Sequence, residues 1–346
     1  MTVLPDRADQ SAEPSAEGHA EPPVVAPAGP PAEVEADIAQ RWDDSADQVA
    51  QTAAAVETGK LSLANTAGEI SRRRDRLERQ GLVLEGIVDE DDSVWLSFFS
   101  RGLAAARPVG RVVSLQPGAP AAAIGTGVLI APGLLLTNNH VLPAAEDAAA
   151  MGVQFGYEYD DKGAERRPET CRFEPERCFW TDEELDFSVV AVADLRGGPP
   201  GKKYGTVRLI EQTGKALKAE VVNVVHHPGG DRKRLSIREN RIVAEDDLWL
   251  RYTSDARRGS SGAPVFNDQW EMVALHHGGL PRRDAEGVAL NRAGEPWTRE
   301  MGEEAKAYTA NEGARVSRIV RRLRDAALDP RAKSLIDEAL GAGGIT

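Results

Sequence analysis

A mainly β fold with helices at both ends is predicted for this chain of 346 residues, and three observations predict it. After about Val109 the sequence breaks into short runs rich in β-branched residues, each bounded by Gly, Pro, Asn or Asp: GRVVSLQ, AIGTGVLIA, GLLLTN, VQFGYEY, LDFSVVAVAD, KAEVVNVVHH, NRIVAEDDLWLRYT and EMVALHH. Frequent short strands with turn signals between them indicate a barrel or sandwich rather than alternating βαβ units. Before Val109, apolar residues recur near helical spacing. Near the C-terminus, ARVSRIVRRLRDAAL sets Val316, Ile319, Val320 and Leu323 on one helical face and arginines on the other.

Residues 1–32 are rich in Pro, Ala and acids and carry almost no large apolar side chains. Such a stretch cannot bury enough surface to offset its ordering entropy, so a disordered acidic tail is expected. Residues 33–105 read as a helical N-terminal extension. Val34, Ile38, Trp42, Val49 and Val56 mark one candidate helix, and Leu61 to Gln80, ending before Gly81, a second. These helices are expected to pack on the domain that follows; a docking arm or inhibitory segment is the alternative. The strand-rich domain covers 106–328. Within it, Leu280 to Gly313 is polar, lacks a strand pattern, and reads as a surface insertion. The Arg-bearing helix reads as packed with a solvated face rather than as an RNA-binding element. A short helix over Arg331 to Leu340 and a loose GAGGIT tail make up 329–346.

The net charge of -13 is concentrated at the start: residues 1–50 hold eleven acids against Arg7 and Arg41. The remainder is only mildly acidic, so a nucleic-acid partner has no support. MTVLPDRADQ lacks the basic start and apolar run of a signal peptide, and no segment approaches the roughly 18 apolar residues of a membrane span, so no membrane partner is expected. Cys171 and Cys178 read as reduced thiols of a cytoplasmic protein, with a local disulfide as the alternative. His226–His227 and His276–His277 are consecutive on strand-like runs, so each pair points to opposite faces and does not readily give two ligands to one ion. No metal is expected. No Gly-rich phosphate loop follows any strand, and no cofactor is expected either.

A hydroxyl nucleophile needs a base beside it and a group that orients the base. Three stretches offer those parts. GTGVLIAPGLLLTNNHVL ends two strand-like runs at His140, ELDFSVVAV places Asp186 at the start of an apolar strand, and GSSGAPVF sets Ser261 between Gly259 and Gly262. Glycines there let the backbone turn sharply and aim N–H groups at a developing oxyanion. Each part alone is commonly structural; their strength lies in the combination.

In that order, the three blocks resemble the signature blocks of the trypsin-like, chymotrypsin-fold serine peptidases, most nearly the bacterial branch that includes glutamyl endopeptidases and intracellular trypsin-like domains. The resemblance spans roughly Val109 to Gly279, with HHPGGDRKRLSIREN and WEMVALHHGG fitting a second lobe. It implies a two-lobed double β-barrel with His140 as base, Asp186 as its orienter and Ser261 as nucleophile, and the backbone N–H groups of Gly259 and Ser261 as oxyanion hole. It also implies serine endopeptidase activity through an acyl-enzyme, a protein or peptide substrate, and control through the N-terminal extension or a regulatory protein partner. Trypsin keeps an acid just before the nucleophile, where this chain has Ser260, so activation by insertion of a new N-terminus is not expected. Asp255 matches the base of trypsin's specificity pocket, whereas His276 matches the histidine with which glutamyl endopeptidases receive a substrate carboxylate. Ala256, in place of a hydroxyl residue, tips the expectation towards a basic residue before the scissile bond. Two other classes stay open. One is a catalytically silent peptide-binding or scaffolding module. The other is an esterase, although the GxSxG elbow is absent.

Overall fold

The computed structural model describes residues 30–82, 94–116, 118–237, 240–254, 256–302 and 305–341. The expected tail up to residue 29, Asp255 and the final residues 342–346 lie outside the described residues. The first helical stretch is two helices, α1 (Ala32–Asp43) and α2 (Ala46–Thr58), and Gly59 closes α2 in the left-handed conformation. In the second stretch the α-helix begins only at α3 (Ala67–Glu78), where Thr66 and Glu69 bond each other's backbone N–H as a capping box. A further helix, α4 (Ser97–Ala106), was not foreseen as a separate element.

Seven strands follow: β1 (Val109–Ser114), β2 (Ala122–Ala131), β3 (Leu134–Thr137), β4 (Met151–Phe155), β5 (Glu169–Arg172), β6 (Phe179–Asp182) and β7 (Phe187–Ala191). They form an antiparallel sheet in the order β5-β4-β1-β2-β3-β7-β6. The short helices α5 (Ala145–Ala149) and α6 (Gly201–Tyr204) serve as connections. A second antiparallel sheet has the order β10-β11-β14-β13-β12-β8-β9. Its strands are β8 (Asn223–His226), β9 (Arg234–Ser236), β10 (Ile242–Glu245), β11 (Trp249–Tyr252), β12 (Pro264–Phe266), β13 (Met272–Pro281) and β14 (Tyr308–Arg315).

Each sheet has its own apolar core, so the domain is two-lobed. Val112, Leu129, Leu135, Phe155 and Val190 fill the first lobe, and Val222, Val224, Ile242, Tyr252 and Val265 the second. A third cluster joins Leu136 and Phe187 of the first sheet to Phe266 and Leu275 of the second. It is completed by Ile319 and Leu323 of α7 (Val316–Asp325) and Ile336 of α8 (Pro330–Gly341). Each such side chain contributes about 1.5–3 kcal/mol on burial, so the two C-terminal helices clasp both lobes.

The reading of Leu280 to Gly313 as a surface insertion needs correction. β13 runs to Pro281, and most of β14 lies inside that stretch, hydrogen-bonded between β11 and β13. The segment YTANEGAR has little β-propensity of its own; partners on both sides override it. The N-terminal helices dock on the second lobe. Thr52 of α2 donates to the Val243 carbonyl at 2.9 Å. Arg73 of α3 is buried against Glu220 at 2.8 Å and Gln269 at 2.7 Å, and Trp270 Nε1 donates to the Phe98 carbonyl in α4. Cys171 and Cys178 are free and buried, and burial pushes their thiols up to about 12 and about 11. Among the described residues no helix is long and apolar enough to cross a membrane.

Candidate active site

The first lobe brings His140 and Asp186 together. β3 ends in a turn that carries His140, and Asn138 in that turn donates to the Asp186 carbonyl at 2.8 Å. Asp186 precedes β7 with φ of 46°, a left-handed conformation that Asp tolerates better than most residues. Its Oδ1 accepts the His140 backbone N–H at 2.9 Å, and its Oδ2 lies 2.7 Å from His140 Nδ1 and 3.2 Å from His277 Nδ1. Burial opposes the charge, yet His140 and His277 together hold the Asp186 carboxyl well below the usual carboxylate range. An ionised carboxylate only accepts, so His140 Nδ1 carries a proton. In neutral His140 the Nε2 lone pair is then available, and Nε2 is buried and has no hydrogen-bond partner among the described residues, the Ser261 hydroxyl included.

Ser261 enters from the second lobe on the turn before β12. Two glycines permit that turn. Gly259 has φ of 90°, and a Cβ there would sit 2.5 Å from the His227 carbonyl oxygen. Gly262 has φ of 85°, and its Cβ would sit 2.0 Å from the Thr126 carbonyl oxygen. Strand β2 holds the turn across the lobe boundary: Thr126 N–H donates to the Ser261 carbonyl and Thr126 Oγ1 to the Gly259 carbonyl, both at 2.7 Å. A Cβ on Gly125 would lie 2.9 Å from Val141, the residue after His140, and 3.0 Å from the Ser261 carbonyl oxygen, so the residue after His140 and the Ser261 backbone both pack against Gly125 of β2. The turn's own bonds run from Ser260 N–H to Arg257, from Gly262 N–H to His276 and from Ala263 N–H to Ser260. Among the described residues the N–H groups of Gly259 and Ser261 take no part in them.

Ser260 has a partner of its own. Its hydroxyl lies 2.7 Å from His226 Nδ1, while His226 Nε2 lies 3.2 Å from the Ser236 hydroxyl; burial holds His226 down at about 3, so this bridge is neutral. His227 points elsewhere, to the Asp231 carbonyl at 2.9 Å. His276 is buried beside Ser261 with its Nδ1 2.7 Å from the Tyr252 hydroxyl.

His276, Gly278, Gly279 and Asn311 line a recess with Ser261, and Pro30 and Glu35 from the N-terminal extension line it too. The recess has a volume of about 20 Å³, room for roughly one water molecule. Ile38 of α1 sits over its edge, with Cδ1 2.6 Å from where a Gly278 Cβ would be.

Two residues of the site escaped the sequence reading. In the sequence His277 stands out only as one of a consecutive pair that does not readily share an ion, and Glu312, to which His277 Nε2 bonds at 3.0 Å, lies in the stretch read as an insertion. Recognising YTANEGAR as a strand would have been the signal for Glu312. 

Residues 125–275 match the family model of the trypsin-like peptidase domain. The "Uncharacterized protein y4fB" of Sinorhizobium fredii is 38% identical over 256 residues, covering 69% of this chain. The chain spans 39% of the length of that curated relative. Among solved structures, the Rv3671c protease of M. tuberculosis in its active form has a TM-score of 0.41 at 18% identity, covering 66% of this chain and 85% of that one. A Glu endopeptidase in complex with MPD has a TM-score of 0.41 at 15% identity, covering 68% and 91%. The HtrA-type protease AlgW with tripeptide has 0.42 at 14% identity, covering 66% and 62%. The stretch that matches the trypsin-like peptidase domain holds the His140, Asp186 and Ser261 turns, so this part of the chain is similar to trypsin-like peptidase domains.

Proposed function

We propose that the chain is a serine endopeptidase working through His140, Asp186 and Ser261. The observation that carries this reading is His140: its Nδ1 is fixed by Asp186 at 2.7 Å, which leaves Nε2 as a buried, unsatisfied acceptor, while Val141 beside it and the Ser261 backbone both pack against Gly125. A base so placed takes the Ser261 proton as the hydroxyl attacks a peptide carbonyl. Asp186 favours the imidazolium that results, and the Gly259 and Ser261 N–H groups receive the oxyanion. His140 then returns the proton to the leaving amine. Water hydrolyses the acyl-enzyme with His140 again as base. The Nε2 to hydroxyl bond, not made here, forms when substrate fills the cleft; catalytic hydrogen bonds are commonly long or poorly aligned before substrate binds.

The N-terminal extension supplies the control. Pro30 and Glu35 line the recess beside Ser261 and Ile38 packs over its edge, so a substrate side chain enters only when the start of α1 moves. A regulatory protein that shifts the start of α1, where Pro30 and Glu35 lie, would switch the enzyme on. Two buried free thiols fit a reducing, cytoplasmic setting.

The test is labelling by a fluorophosphonate probe, which reacts with activated serines. Wild type should label and Ser261→Ala should not; folded wild-type protein that never labels would return the chain to the silent binding-module reading. Cleavage profiling on a diverse peptide library reads substrate preference, with cut sites after Arg or Lys assigning Asp255 and cut sites after Glu assigning His276.

A further inference from the structure

We propose that His277 is a positioning residue, a second imidazole that holds Asp186 in place, itself held doubly protonated by Glu312, with Arg41 tying α1 into the same network. The proposal rests on the reading of His140, Asp186 and Ser261 as the reacting set.

Geometry carries it. β13 and β14 pair with a register shift between His276 and Gly278, so His277 is the extra residue of a β-bulge. A bulge re-aims a side chain that regular pleating would send elsewhere. His276 turns to the Tyr252 hydroxyl, and His277 is aimed between two carboxylates: Nδ1 lies 3.2 Å from Asp186 Oδ2 and Nε2 lies 3.0 Å from Glu312 Oε1. Neither ionised carboxylate can donate, so both ring nitrogens must.

Glu312 is held ionised by what surrounds it. Arg41 of α1 grips it with Nε at 3.1 and 3.2 Å and a terminal nitrogen at 2.7 Å, and Arg251, opposite it on β11, lies 3.0 Å away. The Arg41 guanidinium also covers the Trp249 ring at 4.6 Å, and that ring stacks on His277 at 4.4 Å. The charged groups facing His277 are therefore Asp186 before β7 and Glu312 on β14, with Arg41 on α1 and Arg251 on β11 one contact further out. Burial disfavours the His277 proton, but the bonds to Asp186 and Glu312 outweigh it and raise its pKa. His277 thus gives the Asp186 carboxylate a third N–H and fixes the oxygen that orients His140. Because Arg41 belongs to the helix that covers the recess, the segment that blocks substrate also braces the triad.

The experiment measures the second-order rate of Ser261 labelling by a fluorophosphonate probe on the full chain, from pH 6 to 9, with folding checked by circular dichroism. His277→Leu should slow labelling about tenfold to a hundredfold, the loss of one charge-assisted hydrogen bond. His277→Asn keeps an N–H near the Nδ1 position and should recover most of that rate. A role limited to packing against Trp249 would leave the two variants equal, which overturns the proposal. Glu312→Gln preserves shape but removes one of the two charges that keep His277 protonated. It should label near the wild-type rate at pH 6 and fall progressively behind it towards pH 9; a constant ratio overturns the proposal even if His277→Leu fails to fold. The low-field Nδ1 proton resonance of His140 should move in His277→Leu and return in His277→Asn. Wild type that labels normally while all three variants match it defeats this inference alone, whereas wild type that never labels defeats the triad reading and this inference with it.

Discussion

Replacing Asp186 with Asn changes one atom, and the structure dictates what that atom does. The His140 backbone N–H donates to Oδ1 at 2.9 Å, and this donor cannot turn round. The Asn carbonyl oxygen must therefore take the Oδ1 place, which puts the amide NH₂ where Oδ2 was, facing His140 Nδ1 and His277 Nδ1, now 2.7 and 3.2 Å away. A donor opposite His140 Nδ1 selects the tautomer whose proton sits on Nε2, so the proposed base loses its free lone pair. The His277 N–H loses its acceptor as well. The same swap in the standard Ser-His-Asp triad lowers turnover about 10⁴-fold, roughly 5.5 kcal/mol of barrier. A loss of that order is expected here in the rate of fluorophosphonate labelling, with folding confirmed by circular dichroism. An Asp186→Asn protein labelled within tenfold of wild type would refute the assignment of Asp186 as the group that sets the tautomer of His140.

Ile38→Asp should act in the opposite sense, because a carboxylate cannot stay in the apolar contact over Gly278, and α1 should lift from the recess. Peptide cleavage should rise through a lower KM; unchanged KM would mean that α1 does not gate the recess. Arg73→Met strips the cation from Glu220, buried at 2.8 Å in an ion pair with 1% and 3% side-chain exposure, and should cost about 3–5 kcal/mol in urea unfolding. Burial raises the Glu220 pKa above the ordinary value, and stability of that sign is present at acid pH and lost as pH rises. The Arg73→Met penalty should therefore shrink near pH 4, and a penalty equal at pH 4 and 8 would count against an uncompensated carboxylate. His277 has a raised pKa, so its contribution is full below about pH 6.5 and lost as pH rises through the raised value. The Tm gap between wild type and His277→Leu should narrow from pH 6 to pH 9, and a gap that widens would show that the ring is not held as a cation. Gly262→Ala, with φ of 85° and a Cβ 2.0 Å from the Thr126 carbonyl oxygen, should abolish labelling, and a normally labelled variant would mean that the turn is not fixed as described.

Local chemistry made much of this protein legible in one dimension. Turn residues bounding β-branched runs announced a β domain beginning at Val109, the spacing of Val316, Ile319, Val320 and Leu323 announced α7, and three short blocks carried His140, Asp186 and Ser261 in order. Gly259 and Gly262 were readable because a sharp turn against neighbouring backbone needs the absence of a Cβ, and that requirement is local. The pairing of strands is not local. β14 has no pattern of its own and exists because β11 and β13 leave a place between them, so Glu312 stayed hidden in an apparent insertion. The cover on the recess and the link from Arg41 through Glu312 and His277 to Asp186 join residues far apart in sequence, across 271 positions in the case of Arg41 and Glu312. A side chain's chemistry is fixed by its own type, whereas its partners, its desolvation and hence its charge state are fixed by whatever the fold packs against it. The sequence by itself therefore determined which residues were candidates to react, and only the tertiary structure decided which groups pack around them and what covers the recess beside Ser261.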